Sequence, residues 1–202
     1  MITKYRTLSA PTTGFYKEKG SKFYAYAYPV SHTEHIQAYL TQLRKEHHQA
    51  RHHCYAYVLQ ADGSEYRTQD DGEPKHSAGD PILGQIRSQN LTYALVVVIR
   101  YFGGTKLGMG GLIQAYKEAA RLALEPAPIV EKELTEIWTL QFDFQQLNLV
   151  MRLAKELGLT IIGQQHTERA FLEIEVPKSV HDDFKIKLAD HHLIDSKLIT
   201  QA

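Results

Sequence analysis

Residues Val96–Val97–Val98–Ile99–Arg100–Tyr101–Phe102 run straight into Gly103–Gly104–Thr105–Lys106–Leu107–Gly108–Met109–Gly110–Gly111–Leu112, so a β-branched apolar segment ends in a stretch holding five glycines. An alanine-rich pattern of helical period follows, with Leu112, Ala115, Tyr116, Ala119, Ala120 and Ala123 on one face. Glycine tolerates positive φ and lets a backbone approach its neighbour closely. Such residues between a strand and a helix predict a tight exposed loop whose amides can face an anion, with Arg100 and Lys106 adding positive charge at its edges. The spacing is neither GxGxxG nor GxxxxGK[ST], so neither nucleotide fingerprint applies. Two readings stay open: a ligand loop, or a packing turn where helix and strand lie too close for side chains.

Composition narrows the class. A chain of 202 residues, 43% of them hydrophobic, can bury a sizeable core in one large or two small domains. Lys+Arg and Asp+Glu balance at 23 each, which argues against a strongly basic nucleic-acid protein. The single Cys54 excludes a disulfide framework and fits a reducing compartment. Lys4 and Arg6 are followed by no apolar stretch of signal-peptide type, and the run around Ala94–Ile99 is too short to span a bilayer. The expectation is a cytoplasmic protein with no membrane role.

Along the chain, Tyr5–Tyr28 predicts strand, turn, strand, with Tyr24, Tyr26 and Tyr28 on one face. That row could stack bases, but a mixed domain more often covers such a face with helices. Ser31 and Glu34 form a capping-box pattern ahead of a helix carrying Ile36, Tyr39, Leu40 and Leu43 and ending near His47. At that end protonated His47 and His48 would complement the helix dipole. Cys54–Leu59 reads as a strand closed by a turn at Asp62–Gly63, a polar loop spans Gln69–Gly79, and a short helix starts with Pro81 in first position. Glu125–Pro126–Ala127–Pro128 stops the long helix in a stiff connection and predicts a boundary between residues 1–127 and 134–202. Beyond it the periodicities run β-α-β-β-α-β, the ferredoxin-like order. From Glu136 onward there are seven Lys+Arg against ten Asp+Glu, so the charge balance shifts at the same place.

Two further segments carry chemistry. Asp70, Asp71 and Glu73 put three carboxylates into four positions of one loop, where they repel unless a cation, an arginine or water receives them. Pro74 holds Glu73 extended. Arg51–His52–His53–Cys54 leads into a strand; adjacent histidines there face opposite ways, so they cannot share one metal, and one of them fits a satisfied core imidazole. With one cysteine and no CxxC or HxxxH, no metal site is expected, and no nucleophilic constellation or cofactor motif stands out.

These segments together resemble the IMPACT family in its bacterial, YigZ-like branch. The matching residues are Arg51–His52–His53–Cys54, Asp70–Asp71–Gly72–Glu73–Pro74 with Ala78–Gly79 and Pro81, and Arg100–Tyr101–Phe102–Gly103–Gly104 through Gly110–Gly111–Leu112 and Ala115–Tyr116. The chain departs from the family pattern at Lys75–His76–Ser77. The resemblance implies an α+β protein. Its N-terminal domain would have the βαβ fold of the second domain of a small-subunit ribosomal protein, and its C-terminal domain would resemble the last domain of elongation factor G. Eukaryotic relatives regulate translation by competing for a ribosome-associated activator of the kinase that senses uncharged tRNA. No catalytic residue is transferred by the resemblance.

The resulting expectation is a translation-linked binding protein contacting RNA, the ribosome or a ribosome-associated protein. The alternative is a binder of, or enzyme for, a small phosphorylated ligand that uses the acidic and glycine-rich loops. Candidate binding residues are Arg51, His53, Asp70, Asp71, Glu73, Arg100, Tyr101, Gly103, Gly104, Lys106, Gly110 and Gly111. They are expected to meet on one surface of the N-terminal domain, with Arg51 or His53 and Arg100 receiving the carboxylates. Partner identity and oligomeric state stay open.

Overall fold

The computed structural model describes residues 2–166 and 168–201 and divides into two compact units, one of residues 5–132 and one of residues 133–202 joined by residues 1–4. The division falls where the strand that follows the two prolines ends. Ile129–Glu133 (β7) pairs with Lys4–Leu8 (β1), so the chain after Pro128 first runs back along the N-terminal unit. The predicted strand-turn-strand over Tyr5–Tyr28 is three strands, β1, Thr12–Glu18 (β2) and Ser21–Pro29 (β3).

The N-terminal unit is built on a five-stranded antiparallel sheet. Its other members are His52–Leu59 (β4), Glu65–Gln69 (β5) and Ala94–Tyr101 (β6), in the order β2-β3-β6-β4-β5. Thr33–Glu46 (α1) covers one face; Gly79–Ser88 (α2) and Gly108–Leu124 (α3) cover the other. Central β6 is therefore buried on both sides, which explains an unbroken apolar run in an antiparallel strand. Toward α2 and α3 the sheet presents small residues, Ala25, Ala27, Cys54, Ala56 and Ala94. The alanine face of α3 can thus come close, and a Cβ on Gly14 would lie 2.4 Å from the Ala123 amide nitrogen. Toward α1 the sheet presents Tyr55, Leu95, Val97 and Ile99 against Ile36, Leu40 and Leu43. Tyr28 stacks on Tyr39 with ring centroids 4.0 Å apart, and the Tyr26 hydroxyl meets His47 Nε2 at 2.7 Å. Those two tyrosines serve packing.

Local details correct several expectations. α1 starts at Thr33, so Glu34 falls one residue early for a capping box; its carboxylate takes the His32 ring, and Ser31 Oγ meets His35. His47 sits at the α1 C-cap, bonded through Nδ1 and Nε2 to Tyr101 and Tyr26. Burial depresses its pKa, so it is held neutral and is not the protonated dipole partner expected. Pro81 is the third residue of α2, still within the first turn where its missing N–H costs nothing. β5 escaped notice because it is a polar edge strand with no apolar alternation.

The C-terminal unit follows the ferredoxin-like order. Thr135–Phe142 (β8), Leu147–Glu156 (α4), Thr160–His166 (β9), Ala170–Pro177 (β10), His181–Ala189 (α5) and Ile194–Gln201 (β11) form an antiparallel sheet ordered β11-β8-β10-β9. Trp138, Leu140 and Phe142 pack on Val150, Leu153, Phe184 and Leu188. A buried charge sits at the edge of that core: Glu136 accepts from Trp138 Nε1 at 3.0 Å and lies 2.6 Å from His181 Nδ1. No helix among the described residues is long and apolar enough to cross a membrane.

Candidate functional site

The acidic loop between β5 and α2 is folded inward. Asp70 Oδ1 accepts the amides of Ala78 and Gly79 at 3.0 and 2.9 Å, and Oδ2 accepts the His76 amide at 2.9 Å. Asp70 thereby caps α2 from outside the helix, satisfying donors that no residue of the helix serves. Burial would raise the Asp70 carboxyl, but the Gly79, His76 and Ala78 amides outweigh it and hold the group below the usual carboxylate range. The loop bends through positive φ at Asp71, Gly72 and His76.

Asp71 points toward β4 and α1. Its Oδ2 accepts the His53 amide at 2.7 Å, its carbonyl lies 2.9 Å from His52 Nδ1, and Arg44 approaches Oδ1 at 3.7 Å. His53 is buried, but its Nε2 finds no hydrogen-bond partner, which corrects the expected satisfied imidazole. Burial lowers its pKa; the nearby Asp71 carboxylate and the His47 carbonyl pull upward and Arg44 and His47 downward, leaving the ring neutral.

Glu73 is the deepest of the three, with a side chain 4% exposed. Its Oε1 receives Arg100 Nη1 at 2.7 Å and the Tyr116 hydroxyl at 2.8 Å. The Cys54 thiol lies 2.9 Å from the Asp70 carbonyl and 3.4 Å from the Tyr116 oxygen. Burial pushes both the Cys54 thiol and the Tyr116 hydroxyl well above their ordinary values, so both stay protonated. All three carboxylates are thus received by the protein itself. Among the described residues no group of three or more His, Cys, Asp or Glu could hold a metal ion.

Arg100 links this loop to the glycine-rich one. Its Nη2 lies 3.4 Å from Ser21 Oγ, which accepts the Gly103 amide at 3.2 Å. Gly103 must be glycine, because a Cβ there would lie 1.9 Å from the Gly20 carbonyl carbon in the β2–β3 turn. From Phe102 to Gly110 every residue but Leu107 is exposed, Lys106 included. The predicted five-glycine loop is shorter than expected: α3 begins at Gly108, so Gly110 and Gly111 lie in its first turn. That turn contains no acidic residue.

The candidate residues divide accordingly. Asp70, Asp71, Glu73, His53 and Arg100 join a continuous network that reaches Gly103 through Ser21. Tyr101 stands on the other face of the sheet, bonded to His47. Gly104, Lys106 and Gly110 belong to the exposed segment. Arg51 is exposed at the bend before β4, outside the network. Sequence reasoning missed Tyr116 and Ser21, which complete the network, and Arg44, which flanks Asp71. Tyr116 was legible as an apolar helix-face residue and as part of the matching block, but nothing in the periodicity marks its hydroxyl as a partner of Glu73.

Comparison with known proteins identifies the family. Residues 19–124 match the Impact N-terminal domain and residues 140–191 a domain of unknown function, DUF1949. The chain is similar to the IMPACT family member YigZ of Escherichia coli K12, at 33% identity over 90% of each chain. It is also similar to the family member YvyE of Bacillus subtilis 168, at 31% identity over 81% of this chain and 76% of that one. A crystal structure of a hypothetical protein superposes with a TM-score of 0.73 at 30% identity, covering 99% of both chains. A domain match spanning the whole acidic and glycine-rich network, joined to relatives that align over nearly the full length, settles the family: the chain belongs to the IMPACT family.

Proposed function

We propose that the protein is a cytoplasmic, translation-linked binding protein that contacts the RNA of the ribosome through the exposed segment at the start of α3. The observation that carries this reading is the contrast within one network. A buried Glu73–Arg100–Tyr116 cluster anchors Gly103, and the residues just beyond it are exposed and carry Lys106 with no acidic residue in the helix turn behind it. A rigid base under an exposed, positively edged loop presents amides and a cation to phosphate without reorganisation. Membership of the IMPACT family supports the translation link, since the family's eukaryotic members act there. The overall charge balance fits contact with a few phosphates and not a broad basic footprint.

The small phosphorylated-ligand reading loses its acidic half, because Asp70, Asp71 and Glu73 are already bonded within the protein. Ribosome co-sedimentation across a salt series tests the proposal. The full chain should pellet with ribosomes at low salt, and Lys106→Ala should weaken that association and flatten its salt dependence by about one unit. Unchanged association in Lys106→Ala removes the loop from the contact surface. Absence of association by the unaltered chain at every salt concentration ends the RNA reading.

A further inference from the structure

The strand register gathers a second set of residues beside the glycine-rich segment. Across β2, β3 and β6, Lys17, Lys22 and Tyr101 stand in one row, and Phe15, Tyr24 and Ile99 in the next. Both rows lie on the face that α1 covers further along, over Tyr26 and Tyr28. α1 ends at Glu46, and His47 closes its edge by bonding Tyr26 and Tyr101. Past that edge the sheet face is open. Phe15 is 49% exposed and Phe102 is 59% exposed. A pocket of about 270 Å³ lined by Gly20, Lys22, Tyr24, Tyr101 and Phe102 opens at this corner, and Phe15 packs against its Tyr24.

Two features of this corner point to a ligand. Lys17 and Lys22 face each other directly across the β2–β3 pair, an arrangement of like charges that costs stability unless an anion sits between them. Neither forms an ion pair with a carboxylate among the described residues; Glu18, their near neighbour, projects to the opposite face and accepts from Tyr16. The aromatic rings are the second feature. Phe15 and Tyr24 lie with centroids 5.0 Å apart and Tyr24 and Tyr101 at 5.8 Å, leaving ring faces and edges exposed around a space smaller than the roughly 300–1,000 Å³ of a drug-sized site.

We propose that this corner binds unpaired RNA, stacking bases on Phe102 and Phe15 while Lys17 and Lys22 hold the backbone; it rests on the RNA contact proposed above and names its chemistry. Aromatic rings interleaved with lysines are the platform single strands use, because every base offers a π-face and every linkage a charge. A protein partner fits less well, since lysine is depleted at the centres of such interfaces. A duplex hides its base faces within the stack. The tyrosine row read from sequence thus splits: Tyr26 and Tyr28 are packed under α1, and Tyr24 alone reaches the pocket.

Fluorescence anisotropy of the full chain with a labelled ten-nucleotide oligouridine, and with a blunt RNA duplex, tests this. The oligomer should bind more tightly than the duplex. Phe102→Ala should weaken binding by about tenfold, Phe102→Trp should restore it, and Lys17→Ala should reduce the salt slope by about 0.7. Phe102 is exposed, so the fold should survive, and circular dichroism checks that. Equal binding of oligomer and duplex, or no effect of Phe102→Ala, overturns the base-stacking corner. Ribosome co-sedimentation without oligomer binding also overturns it and leaves the broader reading standing. Loss of that co-sedimentation in Phe102→Ala, again without oligomer binding, assigns the corner to a protein and overturns it. Oligomer binding without ribosome association supports the corner and ends the ribosomal reading alone.

Discussion

The acidic loop and the glycine-rich segment are equally conspicuous in the sequence, yet the fold treats them in opposite ways. In the first, three carboxylates are drawn in and bonded within the protein: Asp70 by three amides, Asp71 by the His53 amide, and Glu73 by Arg100 and Tyr116. In the second, one residue, Gly103, is fixed against Gly20, and most of the rest face solvent. The difference teaches that density of functional-looking residues does not locate a binding surface. A buried charge is tolerated only when its partners are already in place, so the loop richest in charge has become scaffold. The loop poor in side chains stays exposed.

The largest test of that contrast is Glu73→Ala. It leaves Arg100 buried without its counter-charge, in a site where Nε already lacks a partner, and should cost about 3–5 kcal/mol. Urea denaturation reads this directly, and a loss below about 1 kcal/mol would mean the pair is not structural. Asp70→Ala comes next. Three amides lose a charged acceptor, for an expected loss of about 2–3 kcal/mol given incomplete replacement by water.

Asp70 also gives the contrast a pH signature. Its carboxyl is depressed in the folded chain, so the stability it lends is present above the unfolded value of about 3.9 and drains away as pH falls through the folded value. Asp70→Asn should be less stable than the unaltered chain at neutral pH and lose less on acidification below about pH 4. Parallel acid profiles would sink this assignment.

The glycine-rich segment should respond weakly and with both signs. Gly104 holds φ at +89°, so Gly104→Ala should destabilise by about 1 kcal/mol. Gly110 lies in the first turn of α3 with open space where a Cβ would stand, and Gly110→Ala should stabilise by about 0.5 kcal/mol. Calorimetric midpoints moving the same way for both variants would show that the helix does not begin where described. Lys106→Ala should change stability by less than about 0.5 kcal/mol, which keeps its effect on ribosome association interpretable.

The sequence by itself determined the elements that one period suffices to define. The apolar runs of β4 and β6, the alanine face of α3 and the β-α-β-β-α-β order of the second unit follow from spacing alone, because burying one face of a helix or strand imposes a local rule. Gly103 was legible as a place of close approach, although not what it approaches. Tertiary structure decided the rest, since it depends on partners distant in the chain. Whether Glu73 is scaffold or ligand hinges on Arg100, 27 residues away, and on Tyr116, 43 away. Whether Tyr24, Tyr26 or Tyr28 meets solvent depends on how far α1, folded back over β3, reaches along that strand before it stops at Glu46. Periodicity assigns a residue to a face; only the packed fold says what covers that face, and it is the covering that separates core from site.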